Sequence, residues 1–241
     1  MSQAGACAAP ESVGPVKNRL IETLPAQDRK RLLALCAPVE LVLEEMLCER
    51  GEPARHVYFP LEGFVSLITE IEGYPPLEVG MVGREGMVGA QLALGVAVSP
   101  LRAVVQGPGR AWRIDRSAFA AELAESEPLQ QLLQRYVYVL MAQLSASAAC
   151  QRFHGIGPRL ARWLLMSQDR ARSSTFRLTH EFLAYMLGVR RVGITLAAGN
   201  LQRNGLIEYR RGELTVLDRD GLKAAACGCY ATDCKSYAKR I

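Results

Sequence analysis

The groups able to do chemistry in this chain are thiols, imidazoles and guanidiniums. Seven cysteines and three histidines are present. Cys227, Cys229 and Cys234 form a C-x-C-x4-C group near the C-terminus. This group offers three thiolates, whereas structural zinc and iron–sulfur clusters want four ligands. The fourth would have to come from Cys7, Cys36, Cys48 or Cys150, and no histidine neighbours the group in sequence. The expectation is therefore no metal: zinc and iron–sulfur are not supported, and Cys227, Cys229 and Cys234 sit in a partly frayed tail. Redox sensing or metal capture is the sharper alternative. His56, His154 and His180 are dispersed, so haem is not supported either. Only His154, beside a predicted hinge, is placed for sensing, and a satisfied structural histidine is the expectation.

The guanidiniums are more informative. Arg190, Arg191, Arg203, Arg210 and Arg211, with Thr179 and Thr195, fall within one 40-residue stretch, 178–217. Arginine reads guanine in a bidentate fork or binds phosphate, provided that a rigid element holds it in a groove. The stretch supplies those elements. Thr179 can cap a first helix, in which Phe182, Leu183, Met186 and Leu187 form an apolar stripe. Gly188 allows the sharp turn that follows. Ile194, Ala197, Ala198 and Leu201 give a second helix its inward face, and Asn204-Gly205 ends it. Arg210-Arg211-Gly212 then turns between two β-prone runs. Helix, turn, helix and two-stranded wing is the order that places one helix in the major groove.

Charge agrees with this placement. The net charge is +5, but residues 1–154 hold 14 Lys+Arg against 17 Asp+Glu (net −3) and residues 155–241 hold 15 against 7 (net +8). A basic module joined to a mildly acidic one suits phosphate binding by the C-terminal half. At 241 residues, 49% hydrophobic and 22% charged, two globular domains are expected. No run of 18 apolar residues exists, so no membrane span is expected. Met1 to Pro15 reads as a flexible tail rather than a signal peptide, which implies a cytoplasmic protein with mostly reduced thiols. No Ser-His-Asp set, P-loop or H-E-x-x-H occurs, and no enzyme is expected.

The N-terminal half is organised differently. Asn18 to Ala37 reads as helix, with Pro25 opening a second segment. Residues 39–114 switch to short β-prone runs punctuated by glycines, the pattern of an antiparallel roll or barrel. Helix returns at Asp115. Glu127 to Phe153 is predicted as one long helix with Pro128 at its start. Leu133, Val137, Leu140 and Leu144 alternate by three and four along it, a seam for a parallel homodimer. Gly155-Ile156-Gly157-Pro158 makes a hinge.

His56-Val57-Tyr58-Phe59, Glu62-Gly63, the long helix, Arg159 to Leu165 and the winged motif together resemble the Crp/Fnr family of bacterial transcription regulators, over about Asn18 to Leu222. The resemblance implies an α+β fold: an N-terminal antiparallel β-roll of the cyclic-nucleotide-binding kind, a long dimerisation helix and a C-terminal winged helix-turn-helix. The corresponding boundaries are 1–17 tail, 18–126 β-roll, 127–154 dimerisation helix, 155–222 winged helix-turn-helix and 223–241 Cys-containing tail. It also implies double-stranded DNA, a second copy of the chain and RNA polymerase as partners. Thr179 then matches a phosphate-touching cap and Arg191 a guanine-reading arginine, while two further base-contacting positions are Val192 and Leu196 here. In the Gly83-to-Ala90 cassette, the ribose-binding glutamate position is Ala90 and the phosphate-binding arginine position is Ser99. Cyclic AMP is disfavoured as effector on that ground, leaving Arg84, Gly86, Gly89 and Arg102 as pocket residues for another anion. The alternative is a ligand- or redox-responsive module that uses the wing for protein contacts, which would lack a steep salt dependence on DNA.

Overall fold

A computed structural model describes residues 17–241; Cys7 and the tail expected over 1–17, apart from Lys17, lie outside the described residues. Near the start, Asn18 is buried. Its side-chain oxygen accepts from Ile21 N and caps α1 (Arg19–Thr23), while its amide donates to Pro60 O and Gly86 O, both at 2.9 Å. One side chain thus fastens the first helix to the sheet behind it. α2 (Ala26–Ala34) starts after Pro25.

Seven strands follow: β1 (Ala37–Leu41), β2 (Met46–Cys48), β3 (His56–Pro60), β4 (Phe64–Thr69), β5 (Leu77–Val82), β6 (Arg102–Gly107) and β7 (Gly109–Asp115). They form two antiparallel sheets, β1-β7-β3 and β2-β6-β4-β5, with a 3-10 turn over Ala90–Leu94 between β5 and β6. This is the expected β-roll. β4 is buried on both faces. Val65 and Leu67 pack inside the roll, whereas Phe64 and Ile68 belong to the core of the DNA-binding half. Apolar residues on both sides of a single buried Ser66 fit such a two-sided position.

Asp115 caps α3 (Arg116–Glu125), and Ser126 caps α4 (Glu127–Phe153) while donating to Asp28 Oδ1 at 2.8 Å. α4 lays Leu129, Leu132, Leu133 and Tyr136 onto the roll. Tyr136 donates to Met87 O at 3.0 Å, and its ring lies where any Cβ on Gly86 would collide with it. Gly86 is therefore a close-approach glycine.

Beyond the hinge come α5 (Ile156–Ala171), β8 (Thr175–Arg177), α6 (His180–Leu187), α7 (Arg191–Arg203), β9 (Ile207–Arg210), β10 (Glu213–Val216), α8 (Arg219–Ala225) and α9 (Cys229–Arg240). The wing has three strands, β8-β10-β9, rather than the two expected. A three-residue strand before the first helix carries too little periodicity to be read in advance. The frayed tail is a second correction. Residues 229–240 form a helix packed against α4 and α5, with Tyr230 and Asp233 buried. No single helix among the described residues is long and apolar enough to cross a membrane.

The two halves share their core. Trp163 of α5 lies edge-on between Phe64 of β4 and Phe182 of α6, with ring centroids 6.4 and 6.2 Å away. Arg170 Nε meets Glu85 Oε1 at 2.7 Å across the same boundary, and both side chains are nearly buried (8% and 12% exposed). Removing one partner of such a pair leaves an uncompensated buried charge. Arg170→Ala is expected to cost about 3–5 kcal/mol of unfolding free energy in urea titrations, and the double variant Arg170→Met/Glu85→Leu to recover much of it.

Candidate nucleic-acid interface and effector pocket

α6 and α7 meet at a bend of 108°, within the range of a helix-turn-helix. Thr179 Oγ1 accepts from Phe182 N at 3.0 Å and caps α6, while Gly188 holds φ at +59° and lets the chain leave it. α7 buries Ile194, Ala197, Ala198 and Leu201. Its opposite face carries Arg191, Val192, Thr195, Leu196, Asn200 and Arg203, all exposed. Val192 and Leu196 are 63% and 65% exposed. Two bare aliphatic side chains beside an arginine suit thymine methyl contacts next to a guanine. Arg190 precedes the helix as its N-cap residue and is exposed.

Several candidates have local engagements. Thr195 Oγ1 lies 3.0 Å from His180 Nδ1 and donates to Arg191 O at 3.2 Å. The His180 ring stacks on Tyr209 of the wing (centroids 4.5 Å apart), and Tyr209 donates to Leu178 O at 2.8 Å. These contacts lock α6, α7 and the wing together, a role sequence reasoning missed for His180. Burial and the nearby Arg191 charge lower its pKa, keeping the ring neutral for that stack. Arg203 is paired with Asn200 Oδ1, and Arg210 lies 3.7 Å from Glu208. Arg211 and Gly212 hold φ at +51° and +82°, a turn with two left-handed residues that holds Arg211 exposed at the wing tip.

The basic surface is smaller than the charge count suggests. Arg159, Arg162 and Arg170 are buried, and Arg219 bonds Asp169 Oδ1 at 2.5 Å and Gln168 Oε1 at 2.6 Å. Four of the fifteen cations in the C-terminal half are thus structural.

The cavity between the roll and α4, about 190 Å³, is lined by Met87, Gly89, Ala90, Ser99, Leu140 and Leu144 among others. Of the four expected pocket residues only Gly89 is there. Arg102 is held on the outer sheet by Glu49 and Glu70 at 3.1 and 2.6 Å, and Arg84 lines a separate cavity with Arg19 and Arg170. Among the described residues, no charged side chain lines the first cavity. Its polar groups are Ser99, which donates to Leu101 O, and Gln91, whose amide nitrogen is buried without a partner. Of the expected dimer seam, Leu133 is 1% exposed and packs into the single chain's own core, while Val137, Leu140 and Leu144 are half-buried and line the cavity. The outward stripe of α4 lies one position further round, with Tyr138 and Met141 at 53% and 62% exposed.

The C-terminal cysteines divide. Cys227 and Cys229 meet Cys150 and His154, whereas Cys234 lines the Arg84 cavity. Cys150 lies 3.5 Å from Cys227, and this contact draws the Cys227 thiol down while pushing Cys150 up.

A reading helix with a capped partner and a wing, docked on a β-roll through one long helix, defines a two-module transcription regulator. Residues 38–126 match the cyclic nucleotide-binding domain and residues 158–225 the Crp-like helix-turn-helix domain, and the chain belongs to the Crp/Fnr family. No curated protein sequence matches it. Among solved structures, a Crp/Fnr-family regulator from Eubacterium rectale is 15% identical, covering 86% of this chain and 97% of that one at a TM-score of 0.66. The c-di-GMP-responsive regulator CLP of Xanthomonas campestris is 19% identical (80% and 99% covered, TM-score 0.63). FixK2 of Bradyrhizobium japonicum is 13% identical (80% and 98%, 0.64). At these identities the likeness is one of fold.

The modules are coupled at Glu78, whose carboxylate accepts from Trp163 Nε1 at 2.9 Å and from Ser66. Burial pushes this carboxyl up to about 7 from 4.5. The folded chain therefore keeps a proton that the unfolded chain releases between about 4.5 and 7, and stability falls with rising pH across that window. Glu78→Gln is expected to remove this fall, so that thermal unfolding followed by circular dichroism shows the variant gaining several degrees on the wild type between about pH 5 and pH 8. Parallel curves would contradict the buried neutral carboxyl.

Proposed function

We propose that the chain is a homodimeric, sequence-specific DNA-binding regulator that reads a palindrome through α7 and does not respond to cyclic AMP. The observation that carries this reading is the composition of the exposed α7 face, where Arg191 stands beside Val192 and Leu196. Arg191 reads guanine, the two aliphatic side chains pack on thymine methyl groups, and Arg190, Thr179, Arg210 and Arg211 contact phosphates. Arg203 and Thr195 serve mainly to shape the helix face. RNA polymerase is the further partner of the assembled complex.

The uncharged cavity supports the second half of the proposal. A cyclic phosphate there would be buried without a cation, which is costly. A small, largely apolar molecule with one acceptor for Gln91 fits better.

Sites selected from random duplexes should be palindromic, with half-sites about one helical turn apart. By fluorescence anisotropy on such a site, Arg191→Ala should lose about 1–3 kcal/mol of specific affinity while remaining folded. Adding cyclic AMP should change nothing. Affinity without a steep salt slope, about 0.9 per neutralised phosphate, would instead favour protein contacts through the wing. Dimerisation through the outward stripe of α4 predicts that Met141→Glu, a charge placed on the seam, sediments as a monomer and binds a full palindrome no better than one half-site.

A further inference from the structure

Cys150 and His154 lie four residues apart at the end of α4, on one face of the helix. Cys227 and Cys229 flank Gly228 where the chain turns from α8 into α9. The fold brings these two pairs together. One ligand atom from each lies within 4.8 Å of the other three. Cys150 Sγ is 3.5 Å from Cys227 Sγ, and Cys229 Sγ is 3.6 Å from His154 Nδ1. Four-coordinate zinc has bonds of about 2.3 Å to sulfur and about 2.0–2.1 Å to nitrogen, so a regular tetrahedron sets its ligand atoms roughly 3.4–3.8 Å apart. Two edges already have that length, and the widest needs to close by about 1 Å. An iron–sulfur cluster distributes its thiolates over separate irons and wants them further apart.

The surroundings match the charge of such a site. Three thiolates and a neutral imidazole around a divalent ion leave one net negative charge. Arg162 and Arg159 of α5 face the cysteines with opposite charge. Arg162 gives one nitrogen to Asp233 at 2.6 Å, yet its Nε is buried without any hydrogen-bond partner. A metal-bound thiolate is an acceptor for such an outer-shell donor. Cys150 and Cys227 are buried, while Cys229 is half-buried and His154 stands at the solvent edge, a path by which an ion can enter.

We infer that Cys150, His154, Cys227 and Cys229 bind one thiophilic divalent metal ion, zinc foremost, that clamps the start of α9 to the end of the dimerisation helix. His154 is the C-cap of α4 and Gly155 opens α5. The clamp therefore sits on the joint between the two modules, and loss of the ion frees α9 at that joint. The inference rests on this geometry alone and is independent of which DNA site is read.

The test uses the full chain purified under reductant, desalted and examined by elemental mass spectrometry. About one zinc per chain is expected, retained in Cys36→Ser and lost in Cys227→Ser/Cys229→Ser. His154→Ala, altered at the solvent edge and checked as folded by circular dichroism, should bind zinc more weakly by at least about tenfold in competition with a chromogenic chelator, the loss typical of even an outer-shell change. Cobalt(II) added to the apoprotein should give the intense visible bands of tetrahedral thiolate coordination, absent from the double variant. A folded wild type that takes up no metal when zinc is supplied would overturn the assignment. So would metal content indifferent to all three ligand substitutions, or several irons with acid-labile sulfide in place of one ion.

Discussion

Guanidinium groups cannot lose their charge, so one that is buried must find acceptors in whatever surrounds it. α5 buries three. Arg159 reaches Leu187 O at the end of α6, Arg162 reaches Asp233 of α9 and Ser147 of α4, and Arg170 reaches Glu85 of the β-roll. Trp163, on the same helix, adds its N–H to Glu78. Each bond has a direction, and together they allow few placements of the helix-turn-helix relative to the β-roll. Apolar burial alone would tolerate sliding, as volume-conserving cores do. The polar contacts of α5 set the register in which that burial occurs.

Much of this arrangement was readable in the chain. Thr179, Gly188 and Asn204-Gly205 mark the reading helices because capping and turning leave local chemical signatures, and Pro128 at the start of a glycine-free run to Phe153 marks α4. What was not readable depends on contacts distant in sequence. Arg159, Arg162 and Arg170 look like surface cations until α9 and the roll close over them, so the charge split between halves overstated the DNA-facing surface. Leu133 and Leu144 fit a heptad, but the roll and the cavity claim them first. Cys150 and His154 lie more than seventy residues from Cys227, and only the return of α9 onto α4 makes them neighbours.

The cavity and the exposed face of α7 share a character. In the cavity, Ala90 and Ser99 belong to an uncharged wall, and on α7, Val192 and Leu196 stand exposed beside Arg191. Both surfaces are largely apolar. The scaffold tolerates this because neither set of side chains holds the fold: the cavity wall is backed by α4, and the α7 face points to solvent. Side chains at either place can change while the helices that carry them remain pinned through α5.

The aromatic run Phe64–Trp163–Phe182 crosses from roll to reading helices without a gap. The core of the DNA-binding half takes in Phe64, Ile68 and Met81 of the roll, which makes the two modules one cooperative folding unit despite their separate architectures. A calorimeter would record a single heat-absorption peak for the chain. A DNA-binding half cut away at the hinge would carry Trp163 and its neighbours bare, an apolar patch that favours self-association over solubility.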